Sequence, residues 1–150
     1  ETSGHAAFKE NYFLDDGAYL AVKIVIKAAR LKREGKTLDS VIEELQEPAD
    51  EKEIRIPITC GDFGEYGDRI LAELEQRIRA SKDMTLEEPN YEGVRISFDG
   101  GWCLIRKSLH DPIMPVNMAS DREGGCREIK DVMEKLLAGY EHLDLSVMEG

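Results

Sequence analysis

From Ile54 onward, apolar side chains recur at every second position in three separated stretches. These are Ile54, Ile56 and Ile58, then Val94, Ile96 and Phe98, then Met114, Val116 and Met118. Such a period belongs to extended strands with one buried face. The segments between keep a different rhythm. A helix from about Gly67 to Arg79 carries Ile70, Leu71, Leu74 and Ile78 on one side, and a last helix places Ile129, Val132, Met133, Leu136 and Leu137 at i, i+3, i+4, i+7 and i+8. Gly139 stops it. Asp99-Gly100 marks a hairpin turn, with Trp102, Leu104 and Ile105 in the returning strand. The order is strand, helix, hairpin plus strand, helix. It predicts an α+β domain: an antiparallel sheet covered on one face by helices.

The first third of the chain obeys other rules. After the turn signal Asp15-Asp16-Gly17, a helix is expected to run to about Arg33. Its only polar stripe is Lys23, Lys27, Arg30 and Glu34, so most of its surface must be covered by other protein. Gly35 ends it, and a short second helix is expected with Thr37 as N-cap and Leu38, Val41, Ile42 and Leu45 on one face. Gln46 to Lys52 is polar, contains Pro48 and has no apolar period. The reading is therefore residues 1–46 as the mostly helical end of an α/β domain, 47–52 as a linker, and 53–150 as a separate α+β domain.

Charge narrows the functional classes. A net charge of −11 argues against a nucleic-acid partner, because phosphate backbones are held by clustered Lys and Arg. No apolar stretch is long enough to span a bilayer, since Lys23 and Lys27 interrupt the longest. Cys60, Cys103 and Cys126 are odd in number and lack CxxC spacing, which reads as reduced thiols of a cytoplasmic protein. The chain opens without a Met and without the apolar core of a signal peptide, and is expected to be a piece of something longer or to have lost its start. The acidic run Glu43, Glu44, Glu47, Asp50, Glu51 and Glu53 reads as solvated surface, with a face for a basic partner as the alternative.

Two short segments carry unusual chemistry. Between Ile105 and Pro112 stand Arg106, Lys107, Ser108 and His110 against a single acid, Asp111. A guanidinium grips a phosphate with two parallel hydrogen bonds, and a hydroxyl, an imidazole and loop amides add single donors. Asp111-Pro112 stiffens the exit. By composition this is either a phosphate site or a solvated hairpin connection. The second segment, Glu1-Thr2-Ser3-Gly4-His5, is by composition either a frayed terminus or a set of groups for sugar hydroxyls.

Taken together, the two segments resemble the phosphohexomutase superfamily. Glu1-Thr2-Ser3-Gly4-His5, with Phe8-Lys9 and Tyr12 to Gly17 behind it, is similar to that family's sugar-binding loop, Gly-Glu-x-Ser-Gly-His followed by Asp-Asp-Gly. Asp99-Gly100-Gly101-Trp102, leading into Arg106-x-Ser108-Leu109-His110-Asp111-Pro112, resembles the phosphate-binding loop of the family's last domain. The resemblance spans essentially the whole chain. One departure is clear: the usual loop is Arg-x-Ser-Asn-Thr-x-Pro, and here Leu109 and His110 stand in the Asn and Thr places.

The resemblance implies a four-domain enzyme of the phosphomannomutase/phosphoglucomutase kind, an intramolecular phosphotransferase. It would interconvert hexose 1-phosphate and 6-phosphate through a bisphosphate. Residues 1–46 would end the third, sugar-binding domain, and 53–150 would be the fourth, phosphate-binding one. Glu1 and Ser3 would meet sugar hydroxyls, and His5 would lie near the reacting end and assist proton transfer. Arg106, Ser108 and His110 would bind the phosphate that is not transferred, with Leu109 contributing only its backbone and Lys107, at the variable position, facing water. The implied partners are hexose phosphate, hexose bisphosphate and the remaining domains of the same chain. Mg2+ and a phosphorylated serine would belong to domains that nothing here resembles, so this piece alone is expected to be inactive. The alternatives are a stand-alone phosphosugar-binding or regulatory module, or a phosphoglucosamine mutase piece.

Overall fold

The computed structural model describes residues 5–90 and 92–149. Backbone contacts divide the chain into two compact units, Glu1–Gln46 and Glu47–Gly150.

The first unit is built around α1 (Gly17–Arg33). The Asp16 side chain accepts the Tyr19 amide at 3.0 Å and so caps the helix. Arg30, Lys32 and Arg33 sit at the carbonyl end, where the helix dipole favours cations. Termination is a paired motif: the Lys36 amide donates to the Leu31 carbonyl at 2.9 Å and Gly35 to Lys32 at 3.2 Å. Gly35 takes the left-handed conformation that this closure needs, at φ 72°. Val22, Ile24, Val25 and Ile26 remain exposed on α1, and Leu31 is its one buried residue among those described. The short second helix expected over Thr37 to Leu45 does not form. A single 3-10 turn, Asp39–Val41, stands there, and Leu38, Val41, Ile42 and Leu45 are all exposed. An apolar stripe of that length gains helix only by packing, and this one packs on nothing described.

The second unit is the predicted α+β domain. Five antiparallel strands lie in the order β1-β5-β4-β3-β2: β1 (Asp50–Pro57), β2 (Thr85–Leu86), β3 (Val94–Phe98), β4 (Gly101–Ile105) and β5 (Ile113–Ser120). Helices α2 (Phe63–Arg79) and α3 (Gly125–Leu137) cover one face. Ile54, Ile56, Val94, Ile96, Cys103, Ile105, Met114, Val116 and Met118 meet Ile70, Leu74, Ile78, Ile129, Met133 and Leu137 in one buried cluster. The register Ile54↔Val116, Ile56↔Met114, Ile96↔Cys103 and Cys103↔Met118 aligns the apolar positions across four strands, which is what fixes it.

Two boundaries move. Strand β1 begins at Asp50, so Asp50, Glu51 and Lys52 are sheet and not linker; they pair with Ser120, Ala119 and Met118. An edge strand is held by its backbone bonds and tolerates charged side chains, so polarity was a poor guide there. Helix α2 begins at Phe63, four residues before the expected Gly67. Asp62 caps it by accepting the Glu65 amide at 3.2 Å. Asp62-Phe63-Gly64-Glu65 has capping-box spacing, which the two nearby glycines disguise.

The thiols test the core directly. Cys103 is fully buried, and burial pushes its thiol up to about 12. Cys126 is also buried, whereas Cys60 is half-buried. In native protein at pH 8, mass-mapped alkylation is expected to label Cys60 first and leave Cys103 and Cys126 unmodified until denaturant is added. Equal labelling of all three would contradict this packing.

Candidate phosphate-binding hairpin and sugar-loop residues

The segment after β4 is an extension of the hairpin with β5, not a free loop. The Arg106 amide donates to the Pro115 carbonyl at 3.1 Å and the Ser108 amide to that of Ile113, also at 3.1 Å. Strand alternation therefore continues through it. Ile105 is buried on the helix-covered face; Arg106 and Ser108 follow Leu104 onto the open face. Two sequence-predicted phosphate contacts thus share one surface.

Two features pin the Arg106 backbone. It is laddered to Pro115. Gly93, just before β3, lies so close beneath that a Cβ there would sit 2.2 Å from the Ile105 carbonyl oxygen and 2.7 Å from Arg106 Cβ. The Arg106 side chain is 30% exposed, and the guanidinium faces Glu92 at 3.5 Å. That separation exceeds the 2.7–2.9 Å of a tight charge-assisted bond, so the pair is loose and the guanidinium is open to a better acceptor.

Lys107 does not face water as expected. It reaches α2, with Nζ 2.6 Å from one Asp68 carboxylate oxygen and 3.3 Å from the Gly64 carbonyl. Its stem packs over Gly67, where a Cβ would meet Lys107 Cδ at 3.0 Å. Alternation after Ile105 turns it to the helix side, and the small residue in α2 makes room for it. Lys107 ties the hairpin to α2.

At the tip, Ser108 Oγ accepts the Asp111 amide at 3.2 Å and the His110 amide at 3.4 Å. Ser108 therefore shapes the turn, and its hydroxyl hydrogen remains for a ligand. Two of the tip amides expected to help a phosphate are engaged in this way. His110 is exposed, and Leu109 is 81% exposed, presenting no polar side-chain group.

In the first unit, His5 Nδ1 lies 2.6 Å from Asp15 Oδ2. Asp15-Asp16-Gly17 thus has two tasks: Asp15 holds His5 and Asp16 caps α1. Hydrogen bonds from Tyr19 and Asn11 keep the Asp16 carboxyl below the usual carboxylate range. The other two sugar-loop residues, Glu1 and Ser3, lie outside the described residues.

The chain has relatives along nearly its whole length. It is 26% identical over 144 residues to a phosphoglucomutase of Neisseria gonorrhoeae, covering 95% of this chain and 29% of that protein. It is 29% identical over 141 residues to a phosphomannomutase/phosphoglucomutase of Pseudomonas aeruginosa, covering 91% and 28%. A solved phosphoglucomutase/phosphomannomutase family protein from Burkholderia thailandensis shares the fold with a TM-score of 0.57 at 20% identity, over 93% of this chain and 27% of that one. This chain matches the carboxy-terminal part of phosphoglucomutase/phosphomannomutase proteins. No family model matches it. The chain spans under a third of the length of these relatives. A probable phosphoglucosamine mutase of Methanopyrus kandleri is also similar, at 26% identity over 132 residues, covering 87% of this chain and 26% of that protein. Among the described residues, no group of three His, Cys, Asp or Glu is placed to hold a metal ion, and no helix is long and apolar enough to cross a membrane.

Proposed function

We propose that this chain is the phosphate-holding end of a larger cytoplasmic phosphohexomutase that interconverts hexose 1-phosphates and 6-phosphates. The observation that carries the reading is Arg106 and Ser108 standing on one face of a hairpin pinned by Gly93 and Lys107. Similarity to mutases along nearly the whole chain supports it.

In this reading, a phosphoserine upstream gives its phosphoryl group to a sugar monophosphate. The bisphosphate turns around, and the enzyme takes back the other phosphate. One site must therefore grip a non-reacting phosphate in both orientations. A guanidinium suits that task because it recognises the phosphate and not the sugar. Holding the far end of the substrate contributes to the transition state without touching the reacting atoms. Ser108 would add its O–H and His110 an exposed ring N–H. His5, oriented by Asp15, would serve the sugar end. Mg2+ and the phosphoserine would be supplied by the upstream part. The relatives' names differ in their sugar, so the substrate class is a hexose phosphate.

The upstream reading frame and one coupled assay test this. The expected result is a protein with in-frame serine and Asp-rich loops that converts glucose 1-phosphate to glucose 6-phosphate, while this chain alone does not. A complete gene without those loops would favour a stand-alone phosphosugar-binding module.

A further inference from the structure

The hairpin is not alone on its face of the sheet. Arg106 pairs with Pro115, and Pro115 pairs with Arg55 of β1. The three residues form one row across neighbouring strands. Two strand spacings set the Arg55 and Arg106 Cα atoms about 10 Å apart. Both side chains leave the open face, since Ile54, Ile56 and Ile105 beside them are buried on the other. Between them stands Pro115, whose short ring lets two long side chains lean over it from opposite sides.

Arg55 is held ready by its neighbours. Its Nε donates to Glu53 Oε1 at 2.6 Å, and Asn117 Nδ2 donates to Glu53 Oε2 at 3.0 Å. Only Nε of Arg55 is used in this pair, and the side chain is 69% exposed, so solvent reaches the rest of the guanidinium. The field of Asp111, at the hairpin tip, also reaches Arg55, and that of Arg106 reaches Glu53. These acids make the resting row nearly neutral, but Glu92 and Glu53 are solvated enough to give way to a ligand.

We infer that Arg55 is a second phosphate-binding residue, closing with Arg106 over Pro115 on a phosphate monoester dianion. This rests on the proposed role of the hairpin and extends it to a strand about fifty residues upstream. Two guanidiniums match a dianion in charge, and approach from two strands would fix the phosphate against the sheet where Leu109 offers nothing.

The test is an affinity series on this chain, read by amide shifts with inorganic phosphate and glucose 1-phosphate. Arg55→Gln is expected to weaken both ligands about tenfold, as Arg106→Gln does, through loss of a charge-assisted hydrogen bond. Lys52→Gln removes the same charge from the same strand but from a position on the other face, and is expected to change binding less than about twofold. Unchanged urea midpoints would confirm that each variant is folded. If Arg55→Gln behaves like Lys52→Gln while Arg106→Gln weakens binding, the second guanidinium is refuted and the hairpin reading stands. If the chain binds neither ligand, or Arg106→Gln and Arg55→Gln both leave binding unchanged, both fall.

Discussion

Replacing Arg106 with Ala, in a protein that carries this chain with its upstream sequence, is expected to lower kcat/KM for glucose 1-phosphate about a hundredfold while leaving the fold intact. A bidentate guanidinium–phosphate contact comprises charge-assisted hydrogen bonds of about 1.5–3 kcal/mol, and about 2.7 kcal/mol corresponds to a hundredfold. The same side chain contributes little to stability. Its partner Glu92 is 54% exposed and 3.5 Å away, and exposed ion pairs of this kind contribute at most about 1 kcal/mol. Loss of activity with an unchanged unfolding midpoint is therefore the expected signature. Normal kinetics would remove Arg106 from the site, and a collapsed midpoint would make it a structural residue.

The second large effect lies at Gly93, where stability and site geometry meet. Gly93 has φ 70°, and a Cβ there would lie 2.2 Å from the Ile105 carbonyl oxygen and 2.8 Å from Arg106 Cα. These are backbone atoms of a paired strand, so they cannot swing aside as a flexible side chain would. Gly93→Ala is expected to destabilise the second unit by about 2–4 kcal/mol, from strained backbone plus a displaced β4 end. For a unit of this size that lowers Tm by about 10 °C or more. Below the transition, the fraction that remains folded should bind phosphate more weakly, because the displaced backbone carries Arg106. A variant with unchanged Tm and binding would mean that β3 and the hairpin do not approach as described.

Strands β1, β3 and β5 and helices α2 and α3 were legible because each buries a continuous stripe whose period appears in the sequence. Ile54 and Ile56, Val94 and Ile96, and Met114 to Met118 alternate, and α3 repeats at helical spacing. The failures share a physical cause. Leu38 to Leu45 has helical spacing but nothing described to bury it, so the pattern alone did not make a helix. Asp50 to Lys52 lack an apolar period, yet backbone pairing alone makes them strand.

In the candidate site, Arg106 and Ser108 were visible as residue types, but their shared face depends on the ladder continuing past Ile105. Lys107 was misread because it was treated as a loop residue. Alternation from the buried Ile105 would have turned it toward α2. Gly93 carried only a faint signal, a lone glycine before an alternating run, because its partner carbonyl is twelve residues away. Arg55 is outward-facing by the same alternation that buries Ile54 and Ile56. Nothing in the sequence reveals that β1 lies beside β5, which is what brings Arg55 into the row of Arg106.

The most direct measurement is an amide-shift NMR titration of this chain with glucose 1-phosphate, mannose 1-phosphate and inorganic phosphate. Saturable shifts centred on Arg106 to His110 are expected with all three ligands, with little response from the buried face of the sheet. Saturable shifts that leave Arg106 to His110 unmoved, or none up to tens of millimolar ligand, would contradict the assignment of this hairpin as the phosphate grip.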